Sequence, residues 1–449
     1  MTPARRFGPA GPLKGTLTPP SDKSVSHRAA LLAAMADGET RISRYLDSQD
    51  TRATLAAVAS VGAGIDEERR AGGASDLAVT GIGLGGPGEG GAPGETEIDA
   101  GNAGTLLRLL PGWLAGQGRG RWVLDGDESI RRRPVDRVAE PLSAMGAAVS
   151  CRDGRLPPLR IEGRELRGIE YRMPVASAQV KSCVLLAGLL AEGETSVVEP
   201  APTRDHTERM LTAAGAEVEV EETSVAVRAP SGHRISVRRT DRVDPGEIEV
   251  PGDFSSAAFP IAAAVLVAGS DVRMREVGLN PTRIGMLGIL RRMGAAAEVI
   301  DETVRGGEPR GDLVARHGPL QATRVGGAEV PLAIDELPLV ALLGCFAEGE
   351  TVVEGAEELR HKESDRIAAV VAGLAGLGAE IEERTDGFAV RGTGGLRGGR
   401  IDARGDHRLA MLGAIAGLAS REGVEVEGIE AAAVSYPGFE SDLEALTRP

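Results

Sequence analysis

One pattern returns six times along the chain. A small or polar cluster opens an Ala/Leu-rich run at Asp22, Asn102, Ser177, Asp253, Asp335 and Asp406, at intervals of about 71 to 82 residues. Self-similarity at a fixed period means that one supersecondary unit is reused, and that neighbouring units share the task of burying apolar faces. After several of these runs comes a Gly-containing turn and then a strand-like stretch, as in Ala36-Asp37-Gly38-Glu39-Thr40, Ala191-Glu192-Gly193-Glu194-Thr195 and Ala347-Glu348-Gly349-Glu350-Thr351. A second helical run follows in most units and ends in Gly-Ala, at Gly62-Ala63, Gly146-Ala147, Gly215-Ala216, Gly294-Ala295 and Gly378-Ala379. Glycine is the expected helix stop, and the β-branched residues after it read as a strand.

Each repeat is therefore roughly β-α-β-α-β, and six of them fall into two groups of three. The chain reads as an α/β protein of two domains, which its 449 residues also suggest. The break is expected near Val250-Pro251-Gly252, giving a first domain over 20–249 and a second over 250–449. Residues 1–19 read as a strand that returns to the second domain. Residues 71–95 are Gly-rich and read as a surface loop, with nothing like a phosphate loop and its lysine.

Composition narrows the function. Aromatics are only 2%, so the core has to be built from Ala, Val, Leu and Ile. A net charge of −15 argues against general binding to nucleic acid or to an anionic membrane, while leaving room for a local cationic pocket. No apolar run follows the start through Lys14, so no secretory signal is expected, and the apolar stretch near 259–268 is too short to span a bilayer. Cys151, Cys183 and Cys345 lie far apart without metal spacing, which fits packing roles in a reducing cytoplasm. Only four of the 51 basic residues are lysine: Lys14, Lys23, Lys181 and Lys362. Lysine is hard to replace where a compact charge or a transferable proton is needed, although codon bias with random survivors accounts for the count equally well.

Polar residues collect where the apolar helices begin, and converging helix N-termini suit anionic ligands. The segment Asp22-Lys23-Ser24-Val25-Ser26-His27-Arg28 offers two phosphate-addressing cations and a serine donor, or a solvated cap. Gly104 in Gly101-Asn102-Ala103-Gly104-Thr105 lets a ligand approach the backbone, or simply makes a turn. Arg131-Arg132-Arg133-Pro134 is an arginine fork for a carboxylate or phosphate, or an exposed basic loop, ahead of a helix whose first position suits proline. Ser177-Ala178-Gln179-Val180-Lys181-Ser182 puts polar residues into an apolar helix start, as expected for a buried polar ligand. Thr203-Arg204-Asp205-His206-Thr207 adds another arginine, with His206 read as a structural hydrogen-bonder.

In the second half, Asp335 opens an apolar helix as a cap or as a general base. In Arg360-His361-Lys362-Glu363-Ser364-Asp365-Arg366, a helical reading puts Lys362 and Arg366 on one face, with Glu363 three residues from Arg366. A salt-bridged solvent face fits the same spacing. Asp406-His407-Arg408 places an arginine at the last helix start.

Together and in this order, these segments closely resemble the 3-phosphoshikimate 1-carboxyvinyltransferase (5-enolpyruvylshikimate-3-phosphate synthase) family, from about Gly11 to Phe439. The strongest matches are Asp22–Arg28, Asn102–Thr105, Arg133-Pro134, Lys362–Arg366 and Asp406–Arg408, while Ser177–Ser182 and Thr203–Thr207 look like the branch known for glyphosate-tolerant members. Two departures stand out. Val434 precedes Ser435-Tyr436-Pro437 where many members have a lysine, and Leu109 replaces a proline common in the other branch.

The resemblance implies two domains, each three βαβαββ repeats in an inside-out α/β barrel, with the active site in the cleft between them. It implies transfer of the enolpyruvyl group of phosphoenolpyruvate to the 5-hydroxyl of shikimate 3-phosphate with release of phosphate, by a cytoplasmic monomer with no metal or organic cofactor. By that analogy Asp335, Glu363 and Lys23 are catalytic. Shikimate 3-phosphate meets Lys23, Ser24, Arg28, Ser177, Gln179, Arg204, Asp335, Lys362 and the backbone of Ala178. Phosphoenolpyruvate meets Lys23, Gly104, Arg133, Gln179, Arg366 and Arg408. The nearest rival is a UDP-N-acetylglucosamine enolpyruvyl transferase, which typically carries a reactive cysteine before its Arg-Pro pair; the segment Asp127–Arg132 has none. A rival of another class is a noncatalytic six-repeat scaffold that binds polyanions.

Overall fold

The inner helices explain the aromatic-poor composition. In the computed structural model, which describes residues 4–70, 72–86, 95–118, 120–223 and 232–448, the chain divides into two compact units. One comprises Ser21–Val250 with Arg305–Glu308; the other comprises Met1–Pro20, Pro251–Val304 and Pro309–Pro449. Each unit holds three helices buried along nearly their whole length. In the first they are Lys23–Met35, Gly104–Ala115 and Ala178–Gly188; in the second, Phe254–Leu266, Leu337–Gly344 and His407–Ala419. A helix that is apolar all round has to be interior. Small residues bring the inner helices close: a Cβ at Gly112 would lie 2.2 Å from the Cys183 carbonyl oxygen of the neighbouring helix.

Each unit also carries three small sheets with one recurring pattern. Glu95–Asp99 runs parallel to Arg121–Asp125, which is antiparallel to Leu156–Glu162, itself antiparallel to Ala148–Arg152. The same order recurs in Glu170–Arg172, Glu194–Val198, Gly232–Arg238 and Val218–Thr223, and again in Arg324–Val325, Glu350–Val353, Gly387–Arg391 and Glu380–Arg384. With an inner and an outer helix between the strands, this is a βαβαββ repeat, and the fold is the two-domain inside-out α/β barrel.

Two sheets are completed by an exchange of lead strands. Lys14–Leu17, just ahead of the first inner helix in sequence, pairs with Asp271–Gly278 within the second unit, while Glu247–Glu249 pairs with Glu39–Leu46 within the first. The sixth sheet has three strands, Ala4–Phe7, Val424–Glu427 and Gly399–Asp402. The first 19 residues thus contribute two short strands rather than one.

The outer helices stop where glycine takes the left-handed conformation, at Gly62, Gly146, Gly215, Gly294 and Gly378. In each case the following alanine N–H reaches back to a carbonyl five residues earlier, as in Ala63 to Val58 at 3.1 Å and Ala379 to Leu374 at 3.0 Å. That pattern closes the helix on itself and turns the chain into the next strand. The reading of 71–95 as one loop is corrected: Ala74–Thr80 is a strand, and Glu95 opens another. Ala71 and 87–94, also read as loop, lie outside the described residues. Among the described residues no helix is long and apolar enough to cross a membrane. Cys183 and Cys345 are free and buried, and burial pushes both thiols up, Cys345 to about 12.

Candidate active site

In the second unit the N-termini of the three inner helices converge, because arginines tie their capping carboxylates together. Asp253 caps Phe254–Leu266, Glu336 precedes Leu337–Gly344, and Asp406 caps His407–Ala419. Arg283 bridges Asp253 and Glu336 at 3.2 Å each. Arg366 Nε donates to Asp406 Oδ2 at 2.8 Å, and Arg408 lies 3.9 Å from Glu336. Asp335 sits among four cations: Arg366 at 3.2 Å, Arg283 at 3.7 Å, Lys362 at 3.8 Å and Arg408 at 4.0 Å. Glu363 completes the cluster through an ion pair with Arg366.

The electrostatics follow from burial and pairing. Burial alone would lower the Arg366 pKa, but Asp406, Glu363 and Asp335 outweigh it and hold the guanidinium above its ordinary value. Burial would raise the Asp406 carboxyl, yet Arg366 keeps it below the usual range. Lys362 has the weaker counter-charge. Burial brings its ammonium down, Asp335 opposes that, and neighbouring Arg366 adds to it.

In the first unit, the starts of the three inner helices are also linked. Asp22 caps Lys23–Met35 by accepting from Val25 N at 2.9 Å, and Lys23 Nζ pairs with Asp50 at 2.9 Å. Arg28 donates to the Ser24 carbonyl at 3.0 Å, to Ser182 Oγ at 2.9 Å and to Thr207 Oγ1 at 2.7 Å. Burial lowers its pKa to about 10; Glu208 opposes the shift and Arg204 adds to it, so the two arginines lie within each other's field. Ser177 caps Ala178–Gly188. Gln179 accepts from Arg108 Nη1 at 2.6 Å and donates to Thr105 Oγ1 at 3.1 Å, joining that helix to Gly104–Ala115. A Cβ at Gly104 would stand 2.6 Å from Arg133 Nη1 and 3.6 Å from Arg108 Nη1, so Gly104, Arg133, Arg108 and Gln179 share one corner.

Several readings change. Lys362 and Glu363 do not share a helix face with Arg366: the helix Arg366–Gly376 begins later, capped by Asp365, and Lys362 is extended. They meet around Asp335 and Arg366 instead. Asp335 lies two residues ahead of its helix rather than capping it, and Pro134 precedes the Asp136–Ala144 helix rather than starting it. Arg131 pairs with Asp125 at 2.8 Å on an exposed surface, apart from Arg133. Lys181 and Ser182 make their polar contacts inside the unit. His206 Nδ1 does bond Glu308, at 2.8 Å. At the departures from the family pattern, Val434 ends the Ile429–Val434 turn and Tyr436 O–H donates to Asp442 at 2.9 Å, while Leu109 is fully buried.

Arg108 and Arg283 were missed by sequence reasoning. Each had a usable signal, a lone arginine among apolar neighbours: Leu106-Leu107-Arg108-Leu109-Leu110 in one case, and Arg283 between Pro281-Thr282 and an apolar helix in the other. A charge in such a setting is almost never fully buried unless paired.

Cations and carboxylates gathered at the starts of the inner helices of βαβαββ repeats define the class, an α/β protein whose helix starts suit small anions. The enolpyruvyl transferase NikO from Streptomyces tendae has this fold, with a TM-score of 0.76 over 99% of this chain and 97% of its own at 18% identity. An EPSP synthase from Acinetobacter baumannii matches at a TM-score of 0.84 and 40% identity, covering 98% and 97% of the two chains. The 3-phosphoshikimate 1-carboxyvinyltransferase of Synechococcus sp. (strain WH7803) is 46% identical over 445 residues, 99% of this chain and 98% of the relative. The family model for EPSP synthase (3-phosphoshikimate 1-carboxyvinyltransferase) matches residues 8–443, and the chain belongs to that family.

Proposed function

We propose that the chain transfers the enolpyruvyl group of phosphoenolpyruvate to the 5-hydroxyl of shikimate 3-phosphate by addition and elimination. The observation that carries the residue assignment is Asp335, a carboxylate with four cations within 4.0 Å. Anionic substrates compete for the same cations and release Asp335 to act as a base. Lys23, Ser24, Arg28, Ser177, Gln179, Arg204 and Lys362 hold shikimate 3-phosphate, with the backbone of Ala178. Gly104, Arg133, Gln179, Arg366, Arg408 and Lys23 hold phosphoenolpyruvate.

In the first step Asp335 takes the proton of the 5-hydroxyl as its oxygen bonds to C2 of phosphoenolpyruvate, and Glu363 delivers a proton to C3, making a methyl group. In the second, Glu363 removes a proton from that methyl, the C2–O bond to phosphate breaks, and Lys23 meets the charge on the leaving group. Preorganised cations facing developing charge are the largest expected contribution to rate. Arg366 is already anchored on Asp406 by a hydrogen bond of 2.8 Å, and Arg408 stands 3.9 Å from Glu336. We also place the enzyme in the cytoplasm as a monomer.

Phosphate release tests the reaction. It is expected only when phosphoenolpyruvate and shikimate 3-phosphate are both present. Release with UDP-N-acetylglucosamine in place of shikimate 3-phosphate, or none with either acceptor, contradicts the assignment.

A further inference from the structure

A buried ion network in the first unit takes no part in the chemistry above. Lys181, in the helix Ala178–Gly188, is 1% exposed; its Nζ lies 2.6 Å from Glu208 Oε1, 3.1 Å from Glu199 Oε2 and 3.4 Å from the Thr203 carbonyl oxygen. Thr203 Oγ1 donates to Glu199 Oε2 at 2.7 Å, and His233 Nδ1 lies 3.2 Å from the other Glu199 oxygen. One residue along the helix, Ser182 Oγ meets Thr207 Oγ1 at 2.6 Å, and both hydroxyls accept from Arg28.

Lys181 therefore grips three points of one segment: Glu199, just past the strand Glu194–Val198; Thr203, immediately before Arg204; and Glu208, in the first turn of His206–Ala213. From Glu199 to Asp205 the chain is neither helix nor strand; backbone hydrogen bonds tie its ends, Glu199 N–H to the His233 carbonyl at 2.9 Å and Arg209 N–H to the Asp205 carbonyl at 3.0 Å, and the Lys181 and Thr203 contacts hold the part between. The turn also carries a charge problem. Arg204 and Arg28 bear like charge and act on each other, and Glu208 offsets that repulsion at Arg28. Lys181 thus faces two carboxylates, Glu199 and Glu208, in a setting where an unpaired charge is costly. A compact ammonium suits three oxygens converging on one nitrogen better than a planar guanidinium does. That gives a physical reason for one of the four lysines in a chain with 51 basic residues.

We infer that Lys181 is a positioning residue for shikimate 3-phosphate: with Glu199, Thr203 and Glu208 it fixes the turn that carries Arg204 against the helix that carries Ser177 and Gln179. The inference rests on the proposed function and extends it to a residue that touches no substrate. Losing a buried hydrogen-bonded charge contact that sets ligand geometry typically weakens binding by about 10- to 100-fold.

The test is calorimetric binding of shikimate 3-phosphate together with steady-state kinetics on Lys181→Met and on Thr203→Val, which removes the hydroxyl link without stranding a charge. Expected for Lys181→Met is a rise of about 10- to 100-fold in the dissociation constant and KM for shikimate 3-phosphate, and for Thr203→Val about 3- to 10-fold, with kcat and the phosphoenolpyruvate KM within about threefold of wild type in both. Folded variants that bind shikimate 3-phosphate like wild type, or that lose kcat and both KM values together, overturn the inference. If Lys181→Met does not fold, Thr203→Val decides, and an unchanged KM there is equally fatal. Wild-type protein that fails to bind shikimate 3-phosphate overturns the functional reading and this inference with it; normal wild-type binding with unaffected variants overturns this inference alone.

Discussion

Replacing Asp335 by asparagine separates chemistry from binding. The amide has nearly the shape of the carboxylate but cannot take the proton of the 5-hydroxyl, and loss of a general base costs roughly 10²- to 10⁴-fold in rate. The surrounding structure should tolerate the change. Arg366 keeps Asp406 at 2.8 Å, Arg283 keeps Asp253 and Glu336 at 3.2 Å, and Arg408 keeps Glu336 at 3.9 Å. Removing one negative charge from among four cations does not weaken their attraction for an anion. The loss of one hydrogen bond to the substrate hydroxyl is therefore the main binding cost, and the dissociation constant for shikimate 3-phosphate should stay within about tenfold of wild type. Turnover by phosphate release and binding by calorimetry on the same purified protein give both numbers. Turnover within a few-fold of wild type would refute the assignment of Asp335 as base, and binding lost in step with turnover would assign it to recognition instead.

Three further outcomes are expected. Gly104→Ala places a methyl 2.6 Å from Arg133 Nη1, so the guanidinium has to swing aside. Glyphosate, an inhibitor of the family that the resemblance places in the phosphoenolpyruvate site and that is longer than the substrate, should lose more than the substrate does, and equal changes in its inhibition constant and the phosphoenolpyruvate KM would contradict this. His27 is held to a pKa of about 3, first by burial and then by Lys23 and Arg28 against Asp50. Its unfolded-state value is near 6.5, so its contribution is intact above pH 6.5 and is lost as pH falls toward 3. That amounts to about 2 kcal/mol by pH 5. In urea titrations at pH 7 and pH 5, His27→Gln should show a smaller acid-side loss than wild type, and parallel losses would contradict this. Phosphoenolpyruvate should bind more tightly once shikimate 3-phosphate is present, because the residues proposed for the two substrates overlap at Lys23 and Gln179; identical affinities by calorimetry with and without it would count against that coupling.

The fold was legible because its punctuation is chemical. Asp22, Ser177, Asp253 and Asp406 are caps in fact, and at Asn102 and Asp335 the cap falls one residue later, at Ala103 and Glu336. The Gly-Ala stops work because only glycine takes positive φ there at little cost. The strand Ala74–Thr80 was hidden by its glycine-rich flanks and by Ser75, a polar residue at a buried position that donates to Glu67 at 2.5 Å. Local spacing also misled at Lys362 and Arg366, where Asp365 acts as a cap and starts the helix later. For Arg108 and Arg283 the local signal was only a lone arginine among apolar residues, because their partners, Gln179 in one case and Asp253 and Glu336 in the other, are distant in sequence. Long-range pairing of that kind is fixed by the tertiary fold, which local spacing does not encode.

The most direct measurement is proton NMR of the purified protein turning over phosphoenolpyruvate and shikimate 3-phosphate in D₂O. Because Glu363 is proposed to deliver a solvent-derived proton to C3, the intermediate methyl carries deuterium. The later loss of one hydrogen leaves deuterium in the vinyl group of the product, now an ether at the 5-position. The account predicts that product, with vinyl signals reduced by deuterium and phosphate released in equal amount. A product with fully protonated vinyl carbon contradicts addition and elimination through Glu363, and absence of the ether contradicts enolpyruvyl transfer itself.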